Sequence, residues 1–241
     1  MTSRVLLVAY ALVGAVNVVA ELAASTTLVH VTKPLLMPLL AIWLVAYWRG
    51  NRPADSSGLP PSLRWLLVGT VFAWIGDLLL MGDGDLWFIG GILGFLLMQV
   101  CYIIAFTRIP GPGLVRAWKI SLVPYVVVWL VINWLVGPGA KGLRLPVLVY
   151  SVVLVAMAVV ALDLVIRVPR DKGWRVAIGA AVFVVSDALI ALTAFGPLSE
   201  SAGLNALVMA TYVVAQGLII TGLTEALVPR LAPSVDQSRT L

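Results

Sequence analysis

The sequence predicts an all-α polytopic membrane protein with eight transmembrane helices, and three observations predict it. Hydrophobic residues make up 61% of the 241 and charged ones only 11%, against about 25% in a soluble domain. So few charges cannot cover a soluble globule of this size. The apolar residues also gather in runs close to the 18 or more that a helix needs to cross a bilayer. The pieces between runs carry the Gly, Pro and small polar residues of loops.

The runs follow in order. The first, 5–24, sits in MTSRVLLVAYALVGAVNVVAELAAS and has the small residues of a secretory signal near its end. Asn17 and Glu21, a polar pair at helical spacing, argue that it is a retained helix. The second, 34–48, is short, can borrow Leu28 to Lys33 at its start, and is expected to be broken by Pro34 and Pro38. RGNRPADSSGLPPS leads to the third, 63–81, which ends at the acidic GDGD turn of Asp83 and Asp85. The fourth, 87–106, is followed by TRIPGPGLVR and the fifth, 119–137, by VGPGAKG. VPRDKG separates the sixth, 146–166, from the seventh, 174–196, and GPLSESAG precedes the eighth, 204–226. Residues 1–228 therefore read as one transmembrane domain and 229–241 as a short polar tail.

The net charge of +5 follows the positive-inside rule rather than marking a nucleic-acid partner. With the N-terminus inside, Arg4, Arg49, Arg52, Arg64, Arg108, Arg116, Lys119, Arg167, Arg170, Lys172, Arg175, Arg230 and Arg239 are cytoplasmic, and only Lys33, Lys141 and Arg144 fall outside. Both termini are expected in the cytoplasm and the helix count is expected to be even. Richness in Ala, Val and Gly hints at a bacterium, hence the inner membrane. Cys101 and His30 are each alone, which excludes a disulfide within the chain and a zinc site of three His or of Cys and His. No cofactor or metal is expected. No lysine lies in mid-helix to carry a retinal Schiff base. The nine Trp and six Tyr read mostly as aromatic belts near helix ends, and Asp55, Asp171, Glu200 and Asp236 as loop or tail solvation.

A carboxylate at the centre of a spanning helix costs about 2.5–3.5 kcal/mol, so such groups are protonated, paired or facing water. Asp163 and Glu225 lie near cytoplasmic helix ends and read as interfacial. Glu21, Asp77 and Asp187, with Lys33, fall in the outer half of the membrane on four helices, which suggests one shared polar chamber. Asn17 and Glu21 share a helix face. So do Gln99 and Tyr102, and Tyr212 and Gln216, with Asn205 above Tyr212. A weak repeat adds to this: Lys33-Pro34 before Gly76-Asp77-Leu78-Leu79-Leu80, and Arg144-Leu145-Pro146 before Ser186-Asp187-Ala188-Leu189-Ile190. It suggests two parallel four-helix halves, with Asp77 and Asp187 facing one another. A carboxylate pair in apolar surroundings then supplies an acid and a base.

TKPLLMP, GDLLLM with its glycine-rich turn, FLLMQVCY, SDALIAL and YVVAQGLIITG, in this order, resemble the YhhN-like membrane proteins, whose animal members include the lysoplasmalogenases. The resemblance implies hydrolysis of the vinyl ether bond of a lysophospholipid, giving a fatty aldehyde and glycerophosphoethanolamine or glycerophosphocholine. It marks Lys33, Asp77 and Asp187 as the family-like polar residues, with Tyr102 and Gln216 in supporting motifs. At Gln99 the chain departs from the family pattern, which commonly has His there, and an amide does not shuttle a proton.

The inventory suits that chemistry. Protonating the β-carbon of a vinyl ether creates an oxocarbenium ion to which water adds, a task glycosidases perform with two carboxylates. Asp77 and Asp187 are the candidate catalytic acids, with Glu21 assisting. Lys33 is the expected phosphate contact, with Asn17, Gln99, Tyr102, Tyr212 and Gln216 also lining the substrate site. Two rivals stand beside the hydrolase. A proton-coupled carrier fits the repeat and the intramembrane acids; a scaffold without turnover would pair Lys33 with an aspartate.

Overall fold

The structure is a computed structural model that describes residues 2–52 and 58–228. All regular secondary structure among them is helical: α1 Thr2–Leu22, α2 Thr26–Asn51, α3 Pro61–Leu79, α4 Asp85–Thr107, a short α5 Leu114–Ala117, α6 Val123–Ala140, α7 Arg144–Arg167, α8 Arg170–Ala194 and α9 Ala202–Leu227. Asp55, Asp236, Arg230, Arg239 and the whole predicted tail 229–241 lie outside the described residues. Seven stretches are long and apolar enough to cross a membrane. The fifth, Lys119–Arg167, has 49 residues and contains both predicted runs 119–137 and 146–166. Within it a 3-10 turn, Lys141–Leu143, with Lys141 at φ 43°, separates α6 from α7. The two fold back on each other, because Trp129 and Asn133 of α6 meet Ser151 of α7.

The expected break in the second run does not occur. α2 continues through Pro34 and Pro38. Pro38 has no N–H to give the carbonyl of Pro34, one turn back, which would leave a partly buried acceptor unpaired. The indole N–H of Trp74 on α3 donates to that carbonyl at 2.9 Å. A neighbouring helix thus replaces the missing bond, as membrane bundles allow. The chain also becomes helical earlier than its apolar run, so Leu28 to Lys33 belong to α2.

Helices α1–α2, α3–α4, α7–α8 and α8–α9 pack as neighbours along the chain, while α1–α9, α2–α3 and α4–α7 close the bundle. Gly76 and Gly94 bring α3 and α4 into backbone contact: a Cβ on Gly94 would stand 2.8 Å from the Gly76 Cα. Gly84, at φ 96°, takes a conformation that L side chains rarely adopt and starts α4. On α8 the small residue before the aspartate, Ser186, donates to the Val208 carbonyl of α9 at 3.0 Å. The connections α1–α2, α3–α4, α6–α7 and α8–α9 share one end of the bundle, called the upper end below.

At the lower end the acids read as interfacial tie elements together. Asp163 accepts from the Val115 N–H at 2.9 Å and from Arg167 at 3.2 Å, and Arg167 also donates to the Pro112 carbonyl. This holds the connection after α4 against α7. Glu225 of α9 pairs with Lys172 at 3.0 Å and Arg175 at 3.1 Å of α8. Lys172 also pairs with Asp171, so that acid is more than loop solvation.

Candidate active site

Asp77 stands near the upper end of α3 because Gly76 lets that helix press against α4. It is 2% exposed and accepts a 2.7 Å hydrogen bond from the Tyr212 hydroxyl of α9. The Lys33 ammonium is the cation whose charge acts on it, without an ion-pair contact among the described residues. Deeper in the bundle the Tyr102 hydroxyl donates to Gln216 at 2.8 Å, and the Gln216 amide reaches the Met98 sulfur at 3.1 Å.

Asp187 has a different set of partners. Its Oδ2 accepts from the Tyr150 hydroxyl of α7 at 2.5 Å and from the Gln99 amide of α4 at 3.4 Å. Oδ1 takes neither bond and is the oxygen left to the neighbouring space. That space is a cavity of 420 Å³ between the upper halves of α4, α7 and α8. Its wall runs from Phe88, Ile92 and Leu96 to Leu143, Pro146 and Phe195, and among the described residues its only polar lining is Tyr150 and Asp187. A second cavity of 50 Å³, between α6, α7 and α8, meets the same two side chains from the other side.

The expected shared chamber is therefore divided. No hydrogen bond joins the two aspartates among the described residues; each accepts from its own phenol. Tyr212 packs edge-on against Phe95 at 5.8 Å and near Phe183 at 6.1 Å. Phe95 also lines the large cavity, so aromatic rings separate that cavity from the Asp77 side. Glu21 joins neither group: it is half-buried and its side chain makes no hydrogen bond or ion pair among the described residues. Asn17 is fully buried and donates to Thr32 at 2.7 Å, with its Oδ1 unpaired. Gln99 Oε1 is likewise buried without a partner. Neither Lys33 nor Asp77 lines either of these two cavities.

A search against family models matches residues 28–223 to the YhhN family. The chain belongs to the YhhN family. It is also 30% identical over 197 residues to the lysoplasmalogenase TMEM86A of Bos taurus, a match covering 80% of this chain and 78% of that protein. No solved structure matches. Apolar spans together with YhhN membership make it an integral membrane protein.

The polar partner that the sequence did not reveal in this YhhN protein is Tyr150. The belt rule assigns a tyrosine one turn after Pro146 to the membrane interface. Yet Tyr10, Tyr102, Tyr150 and Tyr212 all turn their hydroxyls to partners inside the bundle, and Trp43 and Trp48 are buried. The available signal was helical phase: Pro146, Val147 and Tyr150 share one face of α7, and all three line the large cavity.

Proposed function

We propose that the protein is a lysoplasmalogenase-like ether hydrolase whose lipid chain occupies the 420 Å³ cavity and whose reactive group is Asp187. The observation that carries this reading is an apolar cavity with a carboxyl and a phenol as its only polar lining. Ligand pockets of roughly 300–1,000 Å³, mostly apolar with few polar groups, suit small lipid-like molecules. The relative named a lysoplasmalogenase supports the same class. The lipid enters sideways, through the seam between α4 and α7.

In this reading Asp187 enters the cycle carrying a proton and delivers it to the β-carbon of the vinyl ether. The carboxylate that remains stabilises the oxocarbenium ion at the neighbouring carbon, and then takes a proton from the attacking water. Tyr150 and Gln99, both donating to Oδ2, stabilise that carboxylate. Asp77, with Tyr212 and Lys33, forms a second polar centre behind the aromatic rings that holds the bundle in the reactive arrangement. The substrate is a lysophospholipid, and the products are a fatty aldehyde and a glycerophospho-ethanolamine or -choline.

The finer architecture belongs to the same proposal. Lys119–Arg167 crosses twice, making eight crossings with both termini in the cytoplasm of a bacterial inner membrane, around one transmembrane domain. Reciprocal bonds support a four-plus-four repeat. Gln99 of the first half reaches Asp187 of the second, and Tyr212 of the second reaches Asp77 of the first.

The test is aldehyde release from a lysoplasmalogen by the purified protein in detergent. Asp187→Asn should lower kcat at least ~100-fold, the scale of a lost general acid. Asp77→Asn should lower activity less, with a loss of thermal stability. Aldehyde release by Asp187→Asn at the wild-type rate would overturn the mechanism. Absence of aldehyde from folded wild type would favour the carrier.

A further inference from the structure

The polar cluster of Trp129, Asn133 and Ser151 takes no part in the site as described, yet it lines the 50 Å³ cavity together with Tyr150 and Asp187. We infer that this cavity is a water chamber feeding hydrolytic water to Asp187 from the side opposite the lipid chain, with Asn133 and Ser151 as positioning residues. The inference rests on the hydrolase reading above.

Size and polarity carry it. A cavity must offer ~10–15 Å³ of such volume per water, and each water wants two to four polar partners. The large cavity offers only Tyr150 and Asp187 along a wall otherwise apolar, and a bound chain would fill it. The small one is also walled mainly by apolar side chains, but it reaches the same carboxyl and adds an amide and a hydroxyl. Ser151 Oγ accepts the Trp129 indole N–H at 3.0 Å and has one hydrogen of its own to give. The Leu148 carbonyl lies 2.9 Å from it and Asn133 Oδ1 lies 3.3 Å. The shorter contact takes that hydrogen, which leaves Asn133 Oδ1 as an acceptor open to water.

A water donating to Asn133 Oδ1 and to Asp187 directs a lone pair toward the substrate. The steps then balance. The proton of Asp187 and the π pair of the vinyl ether form the new C–H bond, leaving the oxocarbenium ion. The water oxygen bonds to that carbon and its proton passes to the Asp187 carboxylate, restoring the acid. The hemiacetal hydroxyl proton moves to the glyceryl oxygen as the old C–O bond breaks. One water and one vinyl ether give one aldehyde and one alcohol.

The experiment combines hydroxyl-radical labelling with product partition, on the whole protein in detergent. Tyr150, set inside the bundle, should be labelled in wild type. Labelling should fall several-fold in Ser151→Val, which fills the chamber, and persist in Ser151→Ala, with Trp87 labelled equally throughout as the control for folding. In dilute methanol, wild type should form some methyl acetal beside aldehyde. Ser151→Ala should raise the acetal share. Ser151→Val should lower it, with kcat down about tenfold and KM unchanged, a split expected when only the attacking group is misplaced. Unlabelled Tyr150 in a wild type that releases aldehyde overturns the chamber and leaves the hydrolase standing. Labelled Tyr150 with no aldehyde overturns the hydrolase, and the chamber's role with it. Equal partition in all three proteins also overturns the chamber.

Discussion

At the scale of single residues, the two buried aspartates are distinguished by their surroundings rather than by their sequence motifs. Asp187 has one oxygen bound by a phenol and an amide and the other left to an apolar cavity, whereas Asp77 is sealed behind Tyr212. Tyr150→Phe removes a hydrogen bond to the reacting carboxyl, worth about 1.5–3 kcal/mol for a charged partner, so kcat for aldehyde release should fall about 10- to 100-fold. KM should stay near wild type, because the apolar wall that holds the chain is untouched. Tyr212→Phe should instead lower the melting temperature and leave the KM for lipid unchanged. Equal kinetic losses in the two variants would mean that the aspartates act as one unit after all. Both aspartates were legible in the sequence, since a carboxylate in an oily run is conspicuous. Their separation was not, because depth along a helix can be read from residue number but the side chains standing between two helices cannot. Lys33, the expected phosphate contact, lies near enough for its charge to act on Asp77, as depth along the helices suggested.

At the scale of elements, most helices were legible from apolar runs, and the instructive miss is α2. Pro34 and Pro38 argue for a break on local grounds, but the outcome depends on a donor from elsewhere in the chain, the Trp74 indole. No reading of the second run alone could supply it. Trp74→Phe keeps the ring and removes the N–H, leaving the Pro34 carbonyl without its partner. The cost should be about 1–3 kcal/mol, seen as a lower midpoint of thermal unfolding in detergent. Trp134→Phe, at a side chain 77% exposed on α6, should leave the midpoint where it was. Gly94→Ala tests the α3–α4 contact in the same assay. Its new Cβ would stand 2.8 Å from a backbone atom, the Gly76 Cα, which cannot rotate away. Forced separation of the helices should cost about 1–3 kcal/mol and disturb the adjoining Asp77–Tyr212 bond. An unchanged midpoint in Gly94→Ala would show that the helices have room to spare.

At the scale of the whole molecule, the two proposed halves differ most around the large cavity. α1 packs against α2 and α9 and covers the Asp77 side, with the Tyr10 hydroxyl bound to the Val213 carbonyl at 2.6 Å. Its counterpart in a four-plus-four arrangement, α6, packs on α7 and α8 rather than across α4, so it does not cover the upper part of the α4–α7 contact, where the 420 Å³ cavity lies. Only Val136 and Ala140 of α6 are buried, and its exposed side chains, among them Val126, Val127, Leu130, Val131 and Trp134, are apolar and suited to face lipid. That assignment requires α6 to cross the membrane by itself. A continuous helix of 49 residues would be about 74 Å long, more than twice the ~30 Å hydrocarbon core, whereas the 18 residues of α6 reach about 27 Å. With the turn at Lys141–Leu143, the proposed arrangement has the stretch cross twice and the chain an even number of times. Reporter fusions decide this. A reporter active only in the cytoplasm, joined before residue 2 or after residue 228, should be active at both ends. One joined in the Lys141–Leu143 turn should be silent. Activity at one terminus and not the other would make the count odd. α6 would then lie along the membrane surface, and the 50 Å³ chamber that it walls would face the headgroups instead of the bilayer interior.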